Sequence, residues 1–253
     1  MVRGTSAGRS WHRPAAELAG LALGAAVFTW LHNLAGTDIG AATRNAHALQ
    51  FAERALGMDV ELAANHWLAG HPVVSQAAVL YYRLYYLPIA GVLLWVTFRH
   101  PEIYRTVRRI LVVMAPLALL IFWLMPTSPL RFALPGIIDI VAAHDLFGRT
   151  ASVDLTNGQN HFSAMPSLHV GWSALCAYAA WLALRGRHPR LAMLAWLFPA
   201  IMIAVVITTG NHYILDVAGS ALLLTVSIIA ATAWKRNRHR PGTQACTIEQ
   251  PDG

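Results

Sequence analysis

Two histidines and one aspartate are the residues best placed to do chemistry. The segment Thr209-Gly210-Asn211-His212-Tyr213-Ile214-Leu215-Asp216 opens a long apolar run. Residues four apart on a helix share one face about a turn apart. At that spacing Asp216 can accept a hydrogen bond from the near ring nitrogen of His212, fix its tautomer and leave the far nitrogen as a nucleophile. A charge inside a membrane-length run costs at least roughly 2.5 to 3.5 kcal/mol near the bilayer centre, less at the edge, and marks a functional site by default. The competing reading is a first-turn acid that merely suits the helix dipole.

A second segment, Ala164-Met165-Pro166-Ser167-Leu168-His169, opens another apolar run. Pro166 suits a first helical turn, and Ser167 with the free backbone N–H groups there suits an anion. His169 lies within about a turn of that end, as His212 does in its own run. Two histidines with one carboxylate can divide the roles of nucleophile and general acid. A third segment, Pro126-Thr127-Ser128-Pro129-Leu130-Arg131, leaves an apolar run with a fixed cation. Arg131 can hold phosphate oxygens by paired hydrogen bonds, although a lone arginine at such a place is usually a snorkelling anchor.

The elements that must position these groups are membrane spans. Of 253 residues, 56% are hydrophobic and only 12% are charged, against roughly 25% charge in a soluble domain. A spanning helix needs about 20 mostly apolar residues, and such runs fall at 110–130, 162–184, 191–209 and 213–234, with two more near 15–34 and 74–98. The net charge of +7 would suggest nucleic acid if the basic residues shared one soluble face. They alternate instead with the runs: Arg3, Arg9 and Arg13; Arg99, Arg105, Arg108 and Arg109; Arg185, Arg187 and Arg190; Lys235, Arg236, Arg238 and Arg240. The intervening segments hold only Arg44, Arg54, Arg131 and Arg149, with Arg83 inside the second run. The positive-inside rule then gives six spans with both termini cytoplasmic, and it places His169, His212, Asp216 and Arg131 at the outer face.

The expected fold is therefore an all-α polytopic membrane protein. A six-span region covers 15–234, between cytoplasmic tails 1–14 and 235–253 that are expected to be poorly ordered. Over 44–68 the apolar residues Leu49, Ala52, Leu56, Val60 and Ala63 recur three or four apart, which predicts an outer interfacial amphipathic helix. The longest outer connection, 127–161, carries Pro129, Pro135, Gly136, Gly148 and Gly158 as breakers. Cys176 falls in a span and Cys246 in a tail, so no disulfide framework is implied. There is no internal repeat of the kind that marks a two-halved transporter.

With these residues in place, the chain resembles the type 2 phosphatidic acid phosphatase superfamily, most closely the branch akin to fungal inositol phosphorylceramide synthase. The likeness covers roughly 44–220, including Glu53-Arg54-Ala55-Leu56-Gly57 and Phe122-Trp123-Leu124. The family's Pro-Ser-x-His motif is matched by Pro166, Ser167 and His169, and its His-x-x-x-Asp motif by His212 and Asp216. The resemblance implies His212 as the nucleophile that forms a phosphohistidine, Asp216 as its orienter and His169 as proton donor to the leaving group. It implies Arg131 and Ser167 as phosphate-binding residues and no cofactor. The chain departs from the pattern at Val206, where the family places an arginine, and at Leu168 and Leu130, which replace a glycine and a proline. Arg83, among Tyr81, Tyr82, Tyr85 and Tyr86, is the candidate substitute cation; a belt arginine at the interface is the alternative.

The function expected is a membrane lipid phosphatase acting on a lipid phosphate or pyrophosphate at the extracytoplasmic face of the cell membrane, among membrane lipids. A transferase passing a phospho-head group to an alcohol, such as a ceramide, inositol or glycan lipid, uses the same covalent step, and the motifs do not separate the two. A transporter and an inactive lipid-binding relative are the rivals from other classes. A metal site built from His144, His161, His169 and His212 lacks ligand spacing. The motifs leave the lipid, the acceptor and the oligomeric state open.

Overall fold

The computed structural model describes residues 12–35, 38–144 and 160–238. Every regular element among them is helical, and the one β feature is an isolated bridge between Thr127 and Ser163. Arg149, Gly148, Gly158 and most of the two polar tails lie outside the described residues.

The first helix, α1 (His12–Leu34), coincides with the first expected run. The expected single amphipathic helix over 44–68 is instead two helices, α2 (Ile39–Ala55) and α3 (Glu61–Ala69). Gly57 sits at φ 66° between them, and a left-handed glycine ends a helix by turning its last carbonyls away from the axis. Glu53 of α2 and Glu61 of α3 lie in the interior, 0% and 3% exposed.

The second run forms α4 (Pro72–Leu84) and α5 (Tyr86–Arg99), interrupted at Tyr85. Pro88 has no N–H for the Leu84 carbonyl, which accounts for the bend. The third run is α6 (Pro101–Leu124); it stops six residues before the expected end because Pro126 and Pro129 disfavour helix in the residues before them. Two single turns follow, α7 (Leu130–Ala133) and α8 (Ile140–Ala143). Next come α9 (Leu168–Leu184), then α10 (Pro189–Leu194) and α11 (Leu197–Thr208) as one broken run, and α12 (Ile214–Arg238).

Among the described residues five stretches are long and apolar enough to cross a membrane: Ala15–Leu34, Pro72–Arg99, Pro101–Leu124, Pro189–Thr208 and Ile214–Arg236. The run expected at 162–184 yields α9, an apolar helix of 17 residues, a little short of the usual 20. It starts late because 160–167 runs irregularly toward the site.

Helix α9 is the centre of the bundle and packs on α5, α6, α10, α11 and α12. On α6 the buried residues Val107, Ile110, Met114, Ala118 and Phe122 recur at three or four, which is the stripe a helix needs to face a core. They meet Leu175 and Ala179 of α9 and Leu223 and Leu224 of α12. Gly171 permits this approach, since a Cβ there would stand 2.6 Å from Met114 Cε. On the other side of the same helices Val112, Leu120, Trp123, Leu222 and Ile229 are exposed. A soluble protein rarely leaves so continuous an apolar coat, whereas lipid favours it.

Candidate active site

The site is assembled where α11 gives way to α12. Thr208 ends α11, and Gly210 then turns the chain at φ 72°. The Gly210 carbonyl accepts from Arg131 N at 3.0 Å, and Asn211 N and His212 N both donate to the Val206 carbonyl, at 3.1 and 3.2 Å. A side chain at 210 would clash, because a Cβ would lie 2.6 Å from Ile137 Cγ2. Asn65 of α3 staples the neighbourhood: Nδ2 donates to the carbonyls of Ile138 and Thr208, each at 3.0 Å, and Oδ1 accepts from Ile138 N at 2.8 Å. Val206, which stands where the family pattern has an arginine, is fully buried among Tyr85, Val170 and Met202.

His212 and Asp216 are 5% and 0% exposed. His212 Nδ1 lies 2.9 Å from the Ala164 carbonyl and 3.2 Å from Asp216 Oδ2. A carbonyl only accepts, so Nδ1 is the donor, and in the neutral ring Nε2 keeps its lone pair. Asp216 Oδ2 is itself held by Tyr213 N at 2.9 Å. Ala164 is fixed in turn: its N–H donates to the Thr127 carbonyl at 3.1 Å, and Thr127 N donates to the Phe162 carbonyl at 2.8 Å. The end of α6, the start of α9 and the start of α12 thus meet at one imidazole.

Across a cavity of about 290 Å³ stands His169, its ring centroid 5.7 Å from that of His212. Tyr82 stacks on His169 at 4.4 Å and Tyr85 packs against it at 4.7 Å. Arg131 also lines the cavity, and its Nε is 3.4 Å from Asp139 Oδ2. The remaining wall includes His32 and Ser163, joined by a 2.9 Å hydrogen bond, with Asn160 beside them.

Of the six residues singled out in sequence, His169, His212 and Arg131 line this cavity, and Asp216 holds His212 from behind. Ser167 and Arg83 are not on its wall. The Ser167 hydroxyl caps α9, accepting from Val170 N at 3.4 Å, and the residue is fully buried. Serine at an N-cap satisfies a first-turn N–H. Arg83 belongs to the last turn of α4, next to the cavity residue Tyr82.

Several contributors carried no local signal. Asp139 looked like any loop acid, and His32, in the first run, is 131 positions from its partner Ser163. The tyrosine cluster was visible in sequence, but its packing on His169 was not.

An all-helical protein of membrane-spanning character, with a buried His–Asp pair facing a second histidine and an arginine, defines the class. Residues 47–230 match the family model of the PAP2 superfamily, and the chain belongs to that superfamily. The match contains all six singled-out residues, and membership supports a phosphatase-type or phosphotransferase-type enzyme acting on lipid phosphate in a membrane. Searches of curated proteins and of solved structures found no match to the chain.

Proposed function

We propose that the protein is a membrane lipid phosphatase that hydrolyses a lipid phosphate or pyrophosphate through a phosphohistidine on His212. The observation that carries the reading is the placing of Nδ1 between two acceptors, Ala164 O and Asp216 Oδ2, which leaves Nε2 as the nucleophile. Nε2 attacks phosphorus, the bond to the leaving oxygen breaks, and that oxygen takes its electron pair and the proton of His169. Neutral His169 then takes a proton from water as its oxygen attacks phosphorus. The P–N bond breaks and its electrons return to His212. Arg131 neutralises the phosphoryl oxygens throughout.

The proposed topology has six spans, with α9 as the fourth, both termini cytoplasmic and the cavity extracytoplasmic. The alternation of basic segments supports it. A transferase akin to inositol phosphorylceramide synthase is the second reading. The polar wall formed by His32, Ser163 and Asn160 favours it, because it offers hydrogen-bonding partners to the further hydroxyl groups of a polyol acceptor.

The test is to supply the detergent-purified protein with lipid phosphates and pyrophosphates, with and without alcohols, beside His212→Gln. Free phosphate and an acid-labile phosphoenzyme, both lost in the variant, are expected. Phosphate release that survives His212→Gln would sink the mechanism, and new phospholipid in place of free phosphate would establish the transferase.

A further inference from the structure

The start of α12 is unusual in where its backbone N–H groups go. A helix leaves its first N–H groups without partners inside the helix. Tyr213 N donates to Asp216 Oδ2 at 2.9 Å, Ile214 N to Glu61 Oε1 at 3.2 Å and Leu215 N to Glu53 Oε1 at 2.8 Å. Three carboxyl groups from three helices therefore cap three successive N–H groups, beginning one residue after His212. Glu53 and Glu61 are 0% and 3% exposed, no donor of the described residues reaches Glu53 Oε2, and the Glu53 and Glu61 carboxyl groups lie within hydrogen-bonding reach of each other.

We propose that Glu53 and Glu61 are positioning residues: a carboxyl clamp that holds the first turn of α12 and with it the His212–Asp216 pair. Neither touches the cavity, so they act through the backbone and not on substrate.

Two buried carboxylates beside a third, Asp216, could not all be charged without several like-charge repulsions. One proton relieves this. The ionisable groups facing Glu53 are Glu61 on α3 and Tyr213 and Asp216 at the start of α12. Burial, with the Glu61 and Asp216 charges, pushes the Glu53 carboxyl up to about 8 against the opposing pull of Leu215 N–H. The protonated form keeps one oxygen for Leu215 N and turns the other into a donor. Among the described residues no three such side chains form a metal site, so the acids are accounted for by the helix they cap.

The clamp as a catalytic device rests on the proposed phosphohistidine reaction, but its structural half is measurable without it. The experiment compares the detergent-purified full chain with Glu53→Ala, Glu53→Gln and Glu61→Ala. It reads kcat, KM, the pH profile and amide hydrogen exchange of the 209–217 peptide. Glu53→Ala and Glu61→Ala are expected to speed exchange in that peptide about tenfold, and to lower kcat by about 10²-fold with KM little changed, as slight misplacement of a nucleophile does. Glu53→Gln, which mimics the protonated acid, should restore kcat and remove the fall in activity expected of the unsubstituted protein as pH rises through about 8. Unchanged exchange and kcat in both alanine variants would overturn the clamp. So would a Glu53→Gln variant as impaired as Glu53→Ala. If no lipid phosphate is turned over by any form, the phosphatase reading fails, and the exchange data alone decide whether the clamp exists.

Discussion

Asp139 holds Arg131 at the rim of the cavity, its Oδ2 lying 3.4 Å from the guanidinium Nε. The same carboxyl group caps α8 by accepting from Ala142 N at 3.0 Å. Arg131 also lies 4.5 Å over the Phe132 ring, so the guanidinium is oriented before any anion arrives. Pairing through Nε leaves the terminal nitrogens free for phosphate oxygens in the fork geometry that only arginine offers.

Arg131→Lys is therefore expected to weaken transition-state binding, lowering kcat/KM about tenfold or more through loss of charge-assisted hydrogen bonds. Asp139→Asn should act in the same direction by a smaller factor, because it loosens the orientation of the guanidinium and leaves the Arg131 cation in place. Steady-state kinetics on one lipid phosphate checks both. A kcat/KM that survives Arg131→Lys would remove Arg131 from the site.

Asp216→Asn keeps the side-chain shape and removes the charge that fixes the His212 tautomer. In the serine-protease triad the equivalent change costs about 10⁴-fold, and a loss of at least about 10²-fold in kcat is expected here. Circular dichroism should show the helices intact. Because Ala164 O also holds Nδ1, the loss should fall short of that caused by His212→Gln.

His169→Ala is expected to lower turnover by about 10² to 10⁴-fold, the usual contribution of a general acid. Substrates with better leaving groups should suffer less, since they need no proton. Tyr82→Leu should give a smaller loss of the same kind, because Tyr82 stacks on the His169 ring. Equal losses on good and poor leaving groups would assign His169 to binding instead.

Gly210→Ala is expected to be damaging although it adds one methyl group. The backbone there is left-handed, which costs a non-glycine residue roughly 1 to 3 kcal/mol, and the new Cβ would collide with Ile137. A lowered melting temperature with reduced activity checks it. The same substitution at Gly24, which has open space around it, is the control and should change little.

Stability should fall as pH rises from about 4.5 to 8 through Glu53. Its carboxyl is pushed up to about 8 in the folded protein from the ordinary 4.5, so the folded state binds the extra proton over that window. The stabilisation is complete below the lower value and lost above the upper one. A melting curve in detergent that declines across this range, and flattens in Glu53→Gln, is the expected result.

Much of the protein is legible in its residues alone. The four-residue spacing of His212 and Asp216 is a local geometric fact, and the structure keeps it as a 3.2 Å contact. Helical character follows from apolar runs that a soluble core could not absorb; six such runs were expected, and five stretches of the described residues are long and apolar enough to cross a membrane. The Pro-Ser-x-His and His-x-x-x-Asp segments already pointed to the PAP2 superfamily.

What the tertiary structure decided is which groups meet across long separations. Leu215 N and the Glu53 carboxyl are 162 positions apart, and no periodicity within either segment reports on the other. Helices α2 and α3, separated at Gly57, bring Glu53 and Glu61 to the start of α12. Packing likewise buried Ser167 and gave Arg131 the partner Asp139. The sequence determined the local spacing of the reacting pair, because helix geometry is set by the backbone. The surroundings of that pair came from packing, because contacts between distant segments depend on how whole helices fit together.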